Sequence, residues 1–275
     1  MPAQSAATAL PQVSEWHCSG RRSGWLDEES PQAFIELPTR GMDLRRLSGR
    51  QVVASPGRAL LHAAHEGYAL ASPTDRPRRA TCLSLPPELL DELAFDFQSM
   101  AVHSSTRSAL LHWQLRQAEA ASLDRDELML MLVESVLADA REQAGEPAHQ
   151  HGQGRISPAW ERLAVALDER LAEGFTQALS LEQLARDCGA SPFHACRVYR
   201  SVTGHSLHRQ LNRLRLREAL FRLPEMRGQL TALALELGFS SHSHFGSAFK
   251  AEFGRSPSAL HSPDPGLPVA ARPGP

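Results

Sequence analysis

Apolar positions recur along this chain in two rhythms. Between residues 33 and 86 they come in short runs, "AFIEL", "MDLRRL", "QVVAS" and "ATCLSL", punctuated by Gly41, Gly49, Gly57 and Gly67 at intervals of 8, 8 and 10 residues. Short apolar runs between regularly spaced turn residues predict the strands of a small sandwich or barrel. From about residue 87 to 143 the period becomes helical, and "PPELLDELAFDF", "STRSALLHWQLRQAE" and "DRDELMLMLVESVLADARE" each read as a helix. In the last of these Leu128, Met131, Leu132, Ser135 and Val136 share a face that Leu130, Val133 and Leu137 widen. So broad an apolar perimeter demands burial, against its own domain or against a twin subunit.

The C-terminal third repeats one architecture. In "SLEQLARDCGASPFHACRVYRSVTGHSL", Ser180 stands where a helix N-cap belongs, Gln183 at the capping-box position, and Leu181, Leu184, Ala185 and Cys188 on the inward face. Gly189 turns the chain, and Ser191 and Pro192 open a second helix as N-cap and first residue. On it Ala195, Val198, Tyr199 and Val202 point inward, Phe193, Arg197 and Arg200 point the opposite way, and Cys196 lies at the edge. The stretch "LTALALELGFSSHSHFGSAFKAEFGRSPS" follows the same plan. Leu230, Leu233, Ala234 and Leu237 form the inward face of its first helix and Gly238 the turn. Phe245, Ala248, Phe249 and Phe253 line the inward face of the second, with Ser243, Ser247 and Lys250 opposite and His242, His244 and Gly246 on the flanks.

Each unit is a helix-turn-helix, and Gly189 and Gly238 occupy equivalent places 49 residues apart. Between them "SLHRQLNRLRLREALFRL" predicts a helix with Leu211, Leu216, Ala219 and Leu223 inward, ended by Pro224. Its ~17 residues span roughly 25 Å, suited to holding two reading helices near the ~34 Å spacing of successive major-groove faces.

Composition narrows the function. A chain of 275 residues has room for two domains. It has no apolar run of membrane-spanning length and no signal-peptide pattern at the N-terminus, so a cytoplasmic protein is expected. Residues 1 to about 13 and the tail "SPDPGLPVAARPGP" lack periodicity and predict disorder, while the polar "AGEPAHQHGQGRIS" reads as a linker. Cys18, Cys82, Cys188 and Cys196 include no C-x-x-C pair, which signals neither a zinc site nor a disulfide framework. His62, His65 and Glu66 in "HAAHE" match neither H-x-H nor H-E-x-x-H spacing, so no metal or cofactor is expected. The net charge of −2 hides an asymmetry: residues 1–150 carry 14 Arg against 20 acids, whereas 180–262 carry 11 Lys and Arg against 6. The C-terminal third is the part suited to a polyanion.

Residues of about 157–261 resemble the DNA-binding domain of AraC/XylS-type bacterial transcription regulators. The resemblance is carried by Leu184, Ala185 and Gly189 in the first turn, Ser191 and His194 in the first reading helix, and Thr203 and Gly204 near its end. It continues through Arg215, Leu216 and Ala219 in the connecting helix and Gly238, Phe239, Ser243, His244, Phe245, Phe249, Lys250, Phe253, Gly254, Ser256 and Pro257 in the second unit. The N-terminal half resembles, more loosely, the cupin-like sensor domain often joined to it. Together these imply an α+β protein: a cupin-like small β-barrel with a helical extension at 14–145 for sensing or dimerisation, a linker at 146–156, the tandem helix-turn-helix domain at 157–261 and a disordered tail at 262–275.

The resemblance also implies a sequence-specific transcription regulator, an activator and not an enzyme. It would bind promoter DNA, answer to a small-molecule effector held inside the barrel, and work with RNA polymerase and as a homodimer. Arg197 is the expected bidentate reader of guanine, Phe193 touches a thymine methyl or closes the small domain's core, and Arg200 and Lys250 clamp phosphates. Cys196 joins the first reading surface, His242, Ser243 and Ser247 reach base edges or waters, and His244 packs at the turn. The sequence departs from the family pattern at Leu260 and His261, where a Tyr-Arg pair is usual, and at Ser247, preceded by Gly246, where an Arg is common. The first unit is therefore expected to supply most base discrimination and the second mainly to grip the backbone. Two other classes compete: a metal-dependent cupin enzyme with a helical appendage, and a protein-interaction module.

Overall fold

A computed structural model of the chain describes residues 10–20, 22–119, 122–145 and 157–261. The linker at 146–156, the tail at 262–275 and most of the N-terminal stretch expected to be disordered lie outside those residues, but residues 12 and 13 of that stretch belong to a strand.

Nine strands form two antiparallel sheets among the described residues. The first, five-stranded, runs in the order β1 (Gln12–Cys18), β8 (Arg78–Leu85), β3 (Ala33–Arg40), β6 (Arg58–His62), β9 (Met100–His103). The second runs β2 (Arg22–Glu29), β7 (Gly67–Ser72), β4 (Asp43–Leu47), β5 (Arg50–Ala54). Most successive strands cross between the sheets in the manner of a jelly roll, the exceptions being the β4–β5 hairpin and the β8-to-β9 step. Among the described residues no strand of one sheet is hydrogen-bonded to a strand of the other, so the arrangement is a sandwich where a closed barrel was expected.

Three helices cover the outer face of the five-stranded sheet: α1 (Pro87–Leu93), α2 (Thr106–Gln117) and α3 (Leu123–Gly145). Alternate residues Ile35, Leu37, Ala59, Leu61, Leu83 and Leu85 form one buried cluster with Leu89, Leu111, Leu115, Leu132, Val133, Val136 and Leu137 of the helices. At roughly 1.5–3 kcal/mol for each large side chain, this layer is the main support of the N-terminal half. The apolar perimeter of α3 is thus met inside its own domain and does not need a twin subunit. The helix expected across "PPELLDELAFDF" ends at Leu93, because Ala94 takes a left-handed conformation (φ 46°) that sends Phe95 and Phe97 out of helical register.

The inner face of the same sheet is polar. Glu36 accepts from Arg45 on the opposite sheet at 2.7 and 3.2 Å, with His62 at 3.3 Å, and all three are buried. Burial alone would raise the Glu36 carboxyl, but Arg45 and His62 hold it at about 2. Asp43, Ser72 and Arg78 continue the network, with Ser72 donating to Asp43 at 2.7 Å and Arg78 lying 2.9 Å from it. His62 therefore serves the sandwich interior, while His65 lies near Glu29 and Glu66 accepts from Ser48. The three do not converge.

The C-terminal half comprises α4 (Pro158–Gly174), α5 (Leu181–Asp187), α6 (Pro192–Thr203), α7 (Leu207–Arg222), α8 (Leu230–Glu236) and α9 (His242–Phe253). Pro224 ends α7 as expected, in a 3-10 turn at Leu223–Glu225. The connecting helix α7 is no free rod. Every residue from Leu214 to Leu220 is buried, because the helix-turn-helix units pack on it from one side and the N-terminal half from the other. Met42, Val53, Ala109 and Trp113 join the hydrophobic cluster of the helical half, so the two halves share a core. Arg217, fully buried, ties them further: it donates to Glu252 of α9 at 2.9 Å and lies 3.4 Å from the Ser104 carbonyl.

Candidate nucleic-acid interface

Two copies of one local design present the candidate reading surfaces. In each, a helix of 7 residues is followed by a glycine turn and a helix of 12 residues. Both turns are closed by the same hydrogen-bond pair. Ala190 donates to the Ala185 carbonyl and Gly189 to Arg186; Phe239 donates to Ala234 and Gly238 to Leu235. This is the Schellman pattern, which needs a left-handed residue, supplied by Gly189 (φ 67°) and Gly238 (φ 80°). The serines Ser191 and Ser241 cap the second helices, accepting from the backbone of His194 and His244, and Gly204 and Gly254 end them in left-handed conformation. Ser180 caps α5 as its sequence predicts, but Gln183 turns its amide to Asp187 at 2.6 Å instead of back to the cap. Leu181, expected inward, is 38% exposed.

Packing fixes which faces remain free. On α6 Ala195, Val198 and Tyr199 are fully buried, and on α9 Phe245, Phe249 and Phe253 stack in sequence with ring centres 5.6 and 4.5 Å apart. Opposite them, Phe193, Cys196, Arg197 and Arg200 on α6 and His242, Ser243, Ser247 and Lys250 on α9 are all exposed. Phe193 is 78% exposed, so it does not close the small domain's core. His244 lies edge-on to Phe239 at 5.5 Å with its Nδ1 3.2 Å from the Ser240 hydroxyl, a packing position at the turn.

Some residues that shape the surface were not singled out from sequence. The Arg197 guanidinium lies over the Trp160 ring, 5.6 Å from its centre, and His194 meets the same indole edge-on at 6.3 Å. The "ISPAWE" stretch carries a visible helix start, with Ser157 capping α4 through the Trp160 amide, but nothing in it signals a partner 37 residues away. Asp168 on α4 accepts from the Tyr199 hydroxyl at 2.5 Å and from Arg58 of β6 at 2.6 Å. Burial, reinforced by that carboxylate, pushes the Tyr199 phenol upward and keeps it a donor. Arg215, a residue of the family pattern, donates to the carbonyls of Phe175 at 2.7 Å and Gln177 at 3.0 Å just past the end of α4. It thereby locks α4 to α7.

Two capped helix-turn-helix units with exposed second helices, joined in one chain by a buried helix, define a tandem DNA-binding protein. A family model described as "Helix-turn-helix domain" matches residues 184–262. The transcriptional activator AarP of Providencia stuartii is 35% identical over 91 residues, 33% of this chain and 67% of AarP. The regulatory protein SoxS of Salmonella typhimurium is 29% identical over 98 residues, 36% of this chain and 92% of SoxS. Among solved structures, ToxT of Vibrio cholerae aligns over 92% of this chain and 98% of that chain, with 9% identity and a TM-score of 0.39. The chain belongs to the AraC/XylS family of DNA-binding transcription regulators.

Proposed function

We propose that this chain is a sequence-specific activator of transcription, without catalytic activity, in which α6 reads bases and α9 chiefly holds the duplex. The observation that carries this reading is the contrast between the two exposed faces. On α6, two arginines accompany a solvent-facing phenylalanine, whereas on α9 the equivalent face offers serines, a histidine and the chain's single lysine. Arg197 has the fork geometry for guanine O6 and N7, and Phe193 is free to meet a thymine methyl. Arg200 and Lys250 are placed for phosphates, with Cys196, His242, Ser243 and Ser247 filling the remaining contact surface. AarP is described as an activator, which supports that direction of control.

Residues 14–145 form the sensing unit, of cupin-like jelly-roll type, and residues 157–261 the DNA-binding unit. An effector, RNA polymerase and a second copy of the chain are its expected partners, and the cytoplasm its place of work. Footprinting of genomic fragments tests the central claim. Protection should extend over neighbouring major-groove faces for each chain bound, and affinity should fall steeply with salt through counterion release. Protection confined to one groove face, or salt-independent binding, would refute it.

A further inference from the structure

The sandwich interior leaves an effector little room. The charged network of Glu36, Arg45, His62, Asp43 and Arg78 occupies it, and the cavity beside Trp16, Glu36 and Arg78 measures about 10 Å³, the space of about one water. A cavity of about 1140 Å³, open to solvent, lies instead between the two halves of the chain. It is as large as the upper range of small-molecule sites, which favour domain interfaces.

The wall of this cleft carries six arginines, Arg46 among them, against five carboxylates. Arg50 and Arg58 come from β5 and β6, Arg162 from α4, and Arg209 and Arg213 from α7. Most acids that share the wall are already engaged. Asp139 accepts from the Ser105 amide and the Ser108 hydroxyl, Glu169 from Gln51, and Asp168 from Arg58 and Tyr199. Glu142 and Glu161 also line it and are exposed. Arg50, Arg162 and Arg209 pair with no carboxylate among the described residues. His103 and His205, on facing walls with ring centres 5.2 Å apart, register the resulting field. Burial first, then neighbouring arginines, lower both.

We propose that this cleft, rather than the sandwich interior, binds the effector, and that the ligand is a small polar molecule carrying carboxylate or phosphate groups. The inference rests on the effector-controlled reading above and gives it a site. Asp168 supplies the route to DNA. One of its oxygens holds Arg58 of the sensing half and the other holds Tyr199, which is buried on the reading helix α6. An anion that takes Arg58 removes the tie between β6 and α4 at that point. The α4–α6 pair, with Trp160 and Arg197 on it, is then held to the sandwich at this edge by the Gln51–Glu169 bond and the shared apolar core, and its position loosens.

Citrate and pyrophosphate serve as probes, titrated into the full chain by calorimetry at constant ionic strength. Saturable binding with Kd at or below about 1 mM is expected for at least one of them. It should weaken at least ~10-fold in the double variant Arg50→Gln, Arg162→Gln, about 1.4 kcal/mol. Both side chains are exposed, so that variant tests binding without threatening the fold. The anion should also shift affinity for a footprinted duplex, and Arg58→Gln should abolish that shift. Preference for one probe assigns the anionic group. Failure of both probes to saturate, or unchanged binding in the double variant, overturns the proposal. If the double variant loses duplex affinity along with anion binding, the arginines are DNA contacts and the cleft assignment fails while the DNA-binding reading stands. Absence of duplex binding by the unmodified chain would sink that reading separately, whatever the anion titration shows.

Discussion

Arg197 rests over the face of Trp160 at 5.6 Å, a cation–π contact between the first reading helix and the helix that opens the DNA-binding half. The contact limits where an exposed arginine can point. A guanidinium held in place by an indole loses less freedom on meeting a guanine than one free in water. Arg197→Ala should therefore lose about 1–3 kcal/mol of discrimination at one base pair while nonspecific binding is little changed. Trp160→Ala should lose roughly 0.5–1 kcal/mol at that same base pair, with Trp160→Phe partly restoring it. Competition binding with site variants measures both. Equal loss of Trp160→Ala affinity across all sequences would show that the tryptophan supports the fold and not the reading.

Arg200 and Lys250 make the opposite prediction. If each neutralises a phosphate, Arg200→Gln and Lys250→Gln should each weaken binding uniformly across sequences. Each should also lower the slope of log affinity against log salt by about 0.9. A change in sequence preference without a change in slope would move the residue from backbone grip to base reading.

The elements most legible in the sequence are those buried on one face. The four runs first read as strands are β3, β4, β5 and β8, and the paired helices of both DNA-binding units declare themselves through caps, glycine turns and an inward apolar stripe. Of the five other strands, β6 and β7 fall inside the 33–86 segment read as strands, whereas β1, β2 and β9 escaped, each at the edge of its sheet. An edge strand is shielded on one side only, and β1 mixes exposed and half-buried residues with no apolar run to mark it. β9 is four residues long between helices, too short to interrupt a helical period. The exposed reading faces could be inferred because they are the complement of the core stripe. The ties from Arg58 to Asp168 and from Arg197 to Trp160 could not, since they depend on packing between segments far apart in the chain.

Gly189 and Gly238 hold the same place in their units but not the same surroundings. Both have positive φ, so an alanine at either costs about 1 kcal/mol or more in backbone strain. A Cβ at Gly189 would meet nothing within 4 Å, whereas at Gly238 it would lie 2.7 Å from Arg215 Nη2 and 3.2 Å from the Thr176 carbonyl. Displacing Arg215 breaks its bonds to the Phe175 and Gln177 carbonyls, adding roughly 1–3 kcal/mol. Urea unfolding should therefore rank Gly238→Ala well below Gly189→Ala. Equal midpoints would mean that the clash is relieved without losing the Arg215 anchor.

His112 makes the seam between the halves sensitive to acid. It lies buried on α2 with its ring 4.8 Å from Phe221 of α7, and its Nε2 has no hydrogen-bond partner among the described residues. Burial, and secondarily Arg116, lowers its pKa to about 3, against an ordinary value of 6.5. Between those values the unfolded chain binds a proton that the folded chain refuses. Stability from this group is therefore complete above pH ~6.5 and declines as pH falls toward 3, by up to about 1.4 kcal/mol per pH unit. Glu36 acts in the same direction over a lower window: its carboxylate is held at about 2 against an ordinary 4.5, so its contribution is complete above 4.5 and is lost as pH falls toward 2. Above pH ~5 Glu36 no longer contributes to the pH dependence, and the remaining acid sensitivity comes from His112 together with His103 and His205. His112→Phe preserves an aromatic contact with Phe221 and removes that titration. Its unfolding free energy should fall less steeply between pH ~6.5 and ~5 than that of the unmodified chain, the remaining slope coming from His103 and His205, which burial also lowers. Parallel pH profiles for the two proteins would exclude His112 as the responsible group.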